Sequence, residues 1–170
     1  MNPEIYGIDG VLATYREVLP KITFGGPTRF GPVIEQFRQH VISNANQLVY
    51  SVLLIVTDGS CDDMRRTKEL MVQLSAMPAS VIIIGVGHKD FSAMEALDGS
   101  EGHMLRDDFG CEVHRDIVQF VEMKDARLRG NLAEQVLKEL PGQVCGYMAC
   151  IGFNLEVEKI DPNEIAENMV

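Results

Sequence analysis

An aspartate directly after an uncharged segment is the first residue whose position in this sequence indicates chemistry. Residues 51–57, SVLLIVT, carry no charge, and Asp58-Gly59 follows them directly. An apolar run of this length is typical of a central strand in a parallel sheet that is covered on both faces. Ligands of such sheets bind beyond the carboxyl ends of the strands. Asp58 is therefore a turn or capping residue, a metal ligand or a catalytic acid, and Asp-Gly alone is most simply a turn.

A second oxygen donor precedes this segment. Thr28 lies in the loop GGPTRF, which comes before an apolar, helix-like segment. A hydroxyl and a carboxylate on neighbouring loops are hard ligands of the kind that Mg²⁺ or Mn²⁺ takes, with water in the remaining positions. Thr28 and Asp58 are therefore the candidate metal ligands. Asp62 and Asp63 either add charge near that site or cap the following helix by accepting a backbone N–H bond.

The remaining reactive side chains do not form a pattern that predicts catalysis. His88 follows the second apolar run and is expected to be a surface loop residue. Cys61 lies near Asp58, where an anionic neighbourhood raises the pKa of the thiol and makes it a poor nucleophile. The four cysteines show neither a CxxC pair nor the histidine spacing of a zinc site, so free thiols are expected. We predict no enzyme, no catalytic residue and no cofactor-binding residue.

The elements that position these residues alternate between helices and strands. Apolar residues at helical spacing predict five helices, over residues 5–19, 30–42, 64–76, 91–97 and 131–148. Apolar runs predict three strands, over residues 50–57 and 81–87 and within residues 112–121. Pro141 either kinks or splits the last helix. This order predicts an α/β fold with a parallel sheet flanked by helices.

The C-terminal tail, residues 151–170, has a different pattern. Phe153, Leu155 and Val157 alternate with polar neighbours, which fits an edge strand as well as it fits a simple polar tail. We therefore separate a domain over residues 1–150 from this tail.

Composition and charge exclude several classes of protein. The chain has 170 residues, of which 46% are hydrophobic, and this argues against disorder. No apolar run has the length of a membrane span and no secretory signal is visible, so we predict a cytoplasmic location and no direct membrane insertion. A net charge of −10 disfavours nucleic acid and favours a partner with a basic surface.

Seven stretches between about residues 2 and 148 resemble the copine family in sequence and in order. They are GIDGVLATYREVLP, ITFGGPTRFGPVI, YSVLLIVTDG, CDDM, ASVIIIGVGHKDFSAMEALDG, RDIVQFV and LAEQVLKELPGQVCGYM. The pattern GVG-x-x-DF-x-x-M-x-x-LDG followed by RDIVQFV is the most specific part of this resemblance. It implies the von Willebrand factor A-like domain of a copine, which is a three-layer, Rossmann-like α/β domain. It also implies that Thr28 and Asp58 belong to a metal-ion-dependent adhesion site.

Some parts of the copine pattern are missing from this sequence. The first strands of the A-like domain, with their DxSxS metal loop, are expected before Asn2, so the domain resembles an N-terminally truncated one. Only Thr28 and Asp58 carry over as ligands, and low occupancy by Mg²⁺ or Mn²⁺ is expected. The missing first strand implies an open edge beside residues 50–57, covered by a second copy of the chain or by the tail around Phe153–Val157.

The function implied by the resemblance is that of a non-enzymatic protein-interaction module that recruits target proteins. Copines bind phospholipid in a calcium-dependent manner through C2 domains, which are absent from this sequence, so calcium is expected only through such domains. A full-length parent would be peripheral at membranes. Two alternatives are a substrate-binding domain of a copine-like ubiquitin ligase and a metal-dependent hydrolase that uses Asp58. The first requires a Cys/His zinc series, and the second requires a base, for which His88 is the candidate.

Overall fold

Three parallel strands form the sheet of this protein. The computed structural model describes residues 5–23, 25–99, 104–128 and 131–153. Within them, β1 (Ser51–Thr57), β2 (Ala79–Gly85) and β3 (Val118–Glu122) pair in the order β1-β2-β3. The α/β class with a parallel sheet flanked by helices is therefore confirmed.

Helices precede, connect and follow the strands. They are α1 (Gly7–Val18), α2 (Gly31–Ser43), α3 (Met64–Leu74), α4 (Ser92–Asp98), α5 (Met123–Leu128), α6 (Leu132–Leu137) and α7 (Leu140–Cys150), with a short 3₁₀ helix at Leu19–Lys21. In the part of the chain that the structure describes, no helix is long and apolar enough to cross a membrane.

The hydrophobic core lies on one face of the sheet. The register places Leu53 opposite Val81 and Val81 opposite Val118, so these three side chains share that face. They pack in one cluster with buried residues of the helices α2, α3 and α4, which include Ile34, Leu70, Met71, Leu74, Met94 and Leu97. This cluster fixes where the strands end, and therefore where the loops after them lie.

Strand β1 is exposed on its other face. Val52, Leu54 and Val56 are 43%, 55% and 62% exposed, whereas every residue of β2 is buried. Among the described residues, β1 pairs with β2 alone. The prediction that residues 50–57 form a central strand covered on both faces is therefore wrong for this part of the chain. The apolar pattern requires a cover that the described residues do not supply.

Helix α1 also lacks a packing partner within the described residues. None of its side chains is buried, and Ile8, Val11 and Tyr15 are exposed apolar residues of this helix. Its helical spacing was predicted correctly, and it ends at Val18, before Pro20. The apolar stripe is thus formed but uncovered, as is the outer face of β1.

The closing helix is split, as one of the two alternatives for Pro141 predicts. Helix α6 ends at Leu137 and α7 begins at Leu140, with Pro141 in its first turn, where a missing N–H costs no hydrogen bond. Helix α5 was not predicted, because its six residues are too short for a periodic signal. Phe153 follows α7 in irregular structure, and the rest of the predicted edge strand, Leu155 and Val157, lies outside the described residues.

A buried arginine joins α7 to the sheet. The guanidinium of Arg115 donates to the carbonyl oxygens of Met77 and Ala79 at 2.6 and 2.7 Å, and to that of Gln143 in α7 at 3.2 Å. It also lies over the ring of Tyr147, 5.4 Å from the centroid. These contacts hold the C-terminal helix against the start of β2.

Candidate functional site at the carboxyl end of the sheet

Asp58 lies in a tight turn immediately after β1, as the Asp-Gly pair predicts. Gly59 has φ +104°, and a Cβ there would come within 2.8 Å of the carbonyl oxygen of Asp90. Its N–H donates to Oγ1 of Thr57 at 3.2 Å. A residue with a side chain would be strained by its φ and would clash with the chain after β2. The turn is thus held against the end of the neighbouring strand.

The carboxylate of Asp58 forms an ion pair with Lys89, a residue in the loop after β2. Nζ of Lys89 lies 2.6 Å from Oδ2 of Asp58, and both side chains are 58% exposed. This hydrogen bond, together with one from the backbone N–H of Ser60, lowers the pKa of Asp58 below its usual range. Lys89 was missed in the sequence, although the ends of adjacent parallel strands meet at one edge of a sheet, which makes it a natural neighbour.

The loop that contains Thr28 is fastened to the loop that follows Asp58. The backbone N–H of Thr28 donates to Oδ2 of Asp62 at 2.6 Å, and the N–H of Asp62 donates to the carbonyl oxygen of Thr28 at 2.8 Å. The structure therefore places the two predicted site residues on neighbouring loops. Both hydrogen bonds between these loops are made by the backbone of Thr28, and neither involves its hydroxyl group.

Asp63 caps a helix, but a different one from the helix predicted. It stands directly before α3, yet its carboxylate accepts the backbone N–H groups of Phe30 and Gly31, both at 2.9 Å, at the start of α2. The first N–H groups of a helix have no intrahelical partner and attract negative charge. A Cβ on Gly31 would lie 2.7 Å from Oδ2 of Asp63, so glycine permits this contact. A local pattern does not reveal such a long-range cap.

The side chains around Asp58 in the described part of the chain offer few free ligands to a divalent cation. Within the described residues there is no group of three His, Cys, Asp or Glu side chains that could hold a metal ion. Asp58 is engaged by an ammonium group, and Asp62 and Asp63 are used by backbone N–H groups. A cation bound by the side chains of Thr28 and Asp58 would take one oxygen from Thr28, would share the carboxylate of Asp58 and would displace Lys89. The assignment of Thr28 and Asp58 as metal ligands stays a prediction.

The structure gives no support to the catalytic alternatives. Burial is the main cause that raises the pKa of the Cys61 thiol, and the carboxylate that adds to this increase is that of Asp63, not that of Asp58. His88 is exposed in the loop after β2. A hydrolase based on Asp58 would use a carboxylate that is already paired with Lys89.

Comparison with known proteins identifies the family. The family model described as copine matches residues 1–156. Copine-C of Dictyostelium discoideum is 43% identical over 159 residues, which cover 88% of this chain and 28% of that protein. Nicotinic receptor-associated protein 1 of Caenorhabditis briggsae is 39% identical over 167 residues, which cover 89% of this chain and 26% of that protein. The chain thus spans between a quarter and a third of the length of these relatives, and it belongs to the copine family.

Proposed function

We propose that this chain is a protein-interaction module that recruits target proteins and catalyses no reaction. The observation that carries the proposal is the match of the copine domain over residues 1–156. Lipid binding is assigned to C2 domains outside this chain. The cytoplasm is the proposed location, with a peripheral position at membranes in a full-length parent.

The proposed partner carries a basic surface. The net charge of −10 supports this, because opposite charge accelerates association and suppresses wrong partners. One relative is named for association with a nicotinic receptor, which supports recruitment of proteins by this family.

We propose that Mg²⁺ or Mn²⁺ reaches Thr28 and Asp58 only at low occupancy. Lys89 must leave Asp58 before a cation can bind, and water must supply most of the coordination shell. In a calorimetric titration with MnCl₂, the wild-type chain is expected to show no saturable binding below about 1 mM. Lys89→Ala is expected to bind more tightly than wild type. Tight binding by the wild type, lost in Asp58→Ala, would contradict this assignment.

We also propose that a second copy of the chain covers the open edge of β1. Charged side chains and prolines normally block edge-to-edge pairing of strands. β1 contains neither. Leu54→Lys places a charge on the exposed apolar face, where it should disrupt association with little effect on folding. A dimer that persists in Leu54→Lys would place the interface elsewhere.

Affinity capture with quantitative mass spectrometry tests the proposed function. Asp58→Lys reverses the charge at the strand end, and Glu112→Lys does the same at a matched exposed ion pair, Arg106–Glu112. Wild type and Glu112→Lys are expected to enrich the same proteins at least tenfold over beads alone, and Asp58→Lys to enrich them less. The proposal fails if no protein is enriched by the wild-type chain.

A further inference from the structure

Helix α7 covers part of the sheet, yet its side chains contribute little to the core. Of its eleven residues only Gln143 is buried, and none belongs to the core cluster that the described residues form. Most of the stability of a helix in a protein comes from packing of its apolar face. α7 is therefore attached less firmly than α3, which also has eleven residues and buries four of them, Thr67, Leu70, Met71 and Leu74.

The hydrogen bonds that join α7 to the sheet are long. The guanidinium of Arg115 donates to the carbonyl oxygen of Gln143 at 3.2 Å, and Nε2 of Gln143 donates to that of Val118 at 3.4 Å. The same guanidinium donates to the carbonyl oxygens of Met77 and Ala79 at 2.6 and 2.7 Å. Since the shorter bonds tie Arg115 to the sheet, the weaker joint lies between Arg115 and α7.

The packing beneath α7 is also loose. A cleft of about 360 Å³ is lined by Arg115 on the sheet side and by Gly142 and Gly146 of α7. A Cβ added to either glycine would meet no atom of the described residues within 4 Å. Close packing therefore does not require these glycines, and glycine inside a helix weakens it relative to alanine. The helix is thus weak in its own conformation as well as in its attachment.

Like charges meet where α7 begins. Glu139 directly precedes α7, Asp116 lies two residues before β3, and both line the cleft together with the cations Arg115 and Lys138. Burial raises the pKa of Glu139 above its usual range, and the nearby Asp116 adds to the increase, which Lys138 opposes. Both carboxylates also act on Asp98 of α4. As pH rises and the shared site loses its proton, repulsion favours separation of α7 from the sheet.

We propose that α7 is a strap that opens from the sheet while the rest of the domain stays folded, with its hinge at Lys138 and Glu139, between α6 and α7. Opening breaks the bonds of Gln143 and separates Tyr147 from Tyr50, whose ring centroids are 6.1 Å apart. Tyr50 directly precedes β1, so opening extends the exposed outer face of β1 towards the start of that strand. The inference goes beyond the proposed function, because opening requires no partner.

Hydrogen exchange of the full chain, followed residue by residue by NMR, tests the strap. The protection factors of α7 amides are expected to be at least about 100-fold lower than those of α3 and β2. They should depend little on low concentrations of urea, because a local opening exposes little surface. The ratio of α7 to α3 protection should fall between about pH 5 and about pH 7.5, since the closed state holds a proton that the open state releases.

Two variants separate the strap from a general change in stability. Gly146→Ala should raise the protection of α7 amides at least about threefold and leave β2 unchanged, because alanine favours the helix. Asp116→Asn keeps an oxygen for the N–H of Val118, which is 3.1 Å away, and removes the like charge. It should raise α7 protection at the upper pH only. Glu112→Gln, which neutralises an exposed carboxylate outside the cleft, should leave α7 as in wild type.

Three results would contradict the inference. Equal protection of α7 and β2 with the same dependence on urea would mean that α7 opens only when the whole domain unfolds. Exchange of α7 amides at the rate of an unstructured peptide would mean that the helix is not formed in solution. A ratio of α7 to α3 protection that Asp116→Asn leaves unchanged at every pH would contradict the role assigned to the charge pair.

Discussion

The two outer strands of the sheet differ in what protects them. Strand β1 is uncharged throughout, pairs on one side within the described residues, and exposes Val52, Leu54 and Val56. Strand β3 contains Gln119 and Glu122, and Oδ1 of Asp98 accepts the N–H of Phe120 at 2.9 Å.

Charged side chains and local hydrogen bonds are the usual protection of a sheet edge. β3 therefore has the features of a true edge. β1 has the composition of an interior strand, but among the described residues only β2 lies beside it. The difference between the two outer strands supports the proposed second copy of the chain at the β1 edge.

The largest effect is expected from one substitution made at both outer strands. Val118 of β3 is 1% exposed and lies in the core, whereas Val56 of β1 is 62% exposed. Val118→Ala should lower the free energy of unfolding by about 2 kcal/mol, through lost burial and the cavity left behind. Val56→Ala should change it by less than about 0.5 kcal/mol. Urea unfolding at low protein concentration, where any dimer is dissociated, measures both. Similar losses would mean that β1 is covered within a single chain.

A second contrast concerns two buried glutamines near β3. Among the described residues, Oε1 of Gln119 has no partner, whereas Nε2 of Gln143 donates to the carbonyl oxygen of Val118 at 3.4 Å. Gln119→Leu should raise the free energy of unfolding by about 1 kcal/mol, because it removes an unpaired polar group. Gln143→Leu should lower it, because it removes a bond and leaves the Val118 carbonyl unpaired. Thermal unfolding of the two variants checks the opposite signs, and a loss in Gln119→Leu would show that its oxygen is satisfied in solution.

A third contrast concerns the pH dependence of the β3 edge. Burial raises the pKa of Asp98 from near 3.8 to about 7, with Glu139 and Asp116 adding like charge. The folded protein therefore holds a proton that the unfolded chain has released, so stability falls as pH rises from about 4 to about 7. Asp98→Asn keeps an oxygen for the N–H of Phe120 and removes the titration. Its stability relative to wild type should increase between pH 5 and pH 8 in urea unfolding, and a difference independent of pH would contradict the assignment.

The sequence predicted the strands and helices well because their apolar periodicity comes from burial in one core. It also predicted the Asp58-Gly59 turn, whose backbone requires glycine. Contacts across long sequence separations were not predicted. Asp63 caps the start of α2, and Lys89 pairs with Asp58 from the next strand's loop. No local pattern encodes either contact, since each depends on how the sheet brings distant loops together.

For β1, the apolar pattern and the family resemblance gave different predictions. Its continuous apolar run predicts cover on both faces, and the resemblance to copines predicts a missing neighbour at the same edge. An apolar pattern indicates that a strand is buried, but it does not identify the segment that buries it. The relatives, of which this chain covers 26% and 28%, are long enough to contain that segment.

The central claim is that two copies of the chain associate at the open edge of β1 without a metal ion. The mass of the protein in solution tests this claim most directly. Light scattering on the wild-type chain, with and without millimolar MgCl₂, should give twice 18.9 kDa in both conditions. Leu54→Lys should give the monomer mass. A wild-type monomer of 18.9 kDa whose unfolding temperature rises with Mg²⁺ would contradict the account and return Thr28 and Asp58 to a working metal site.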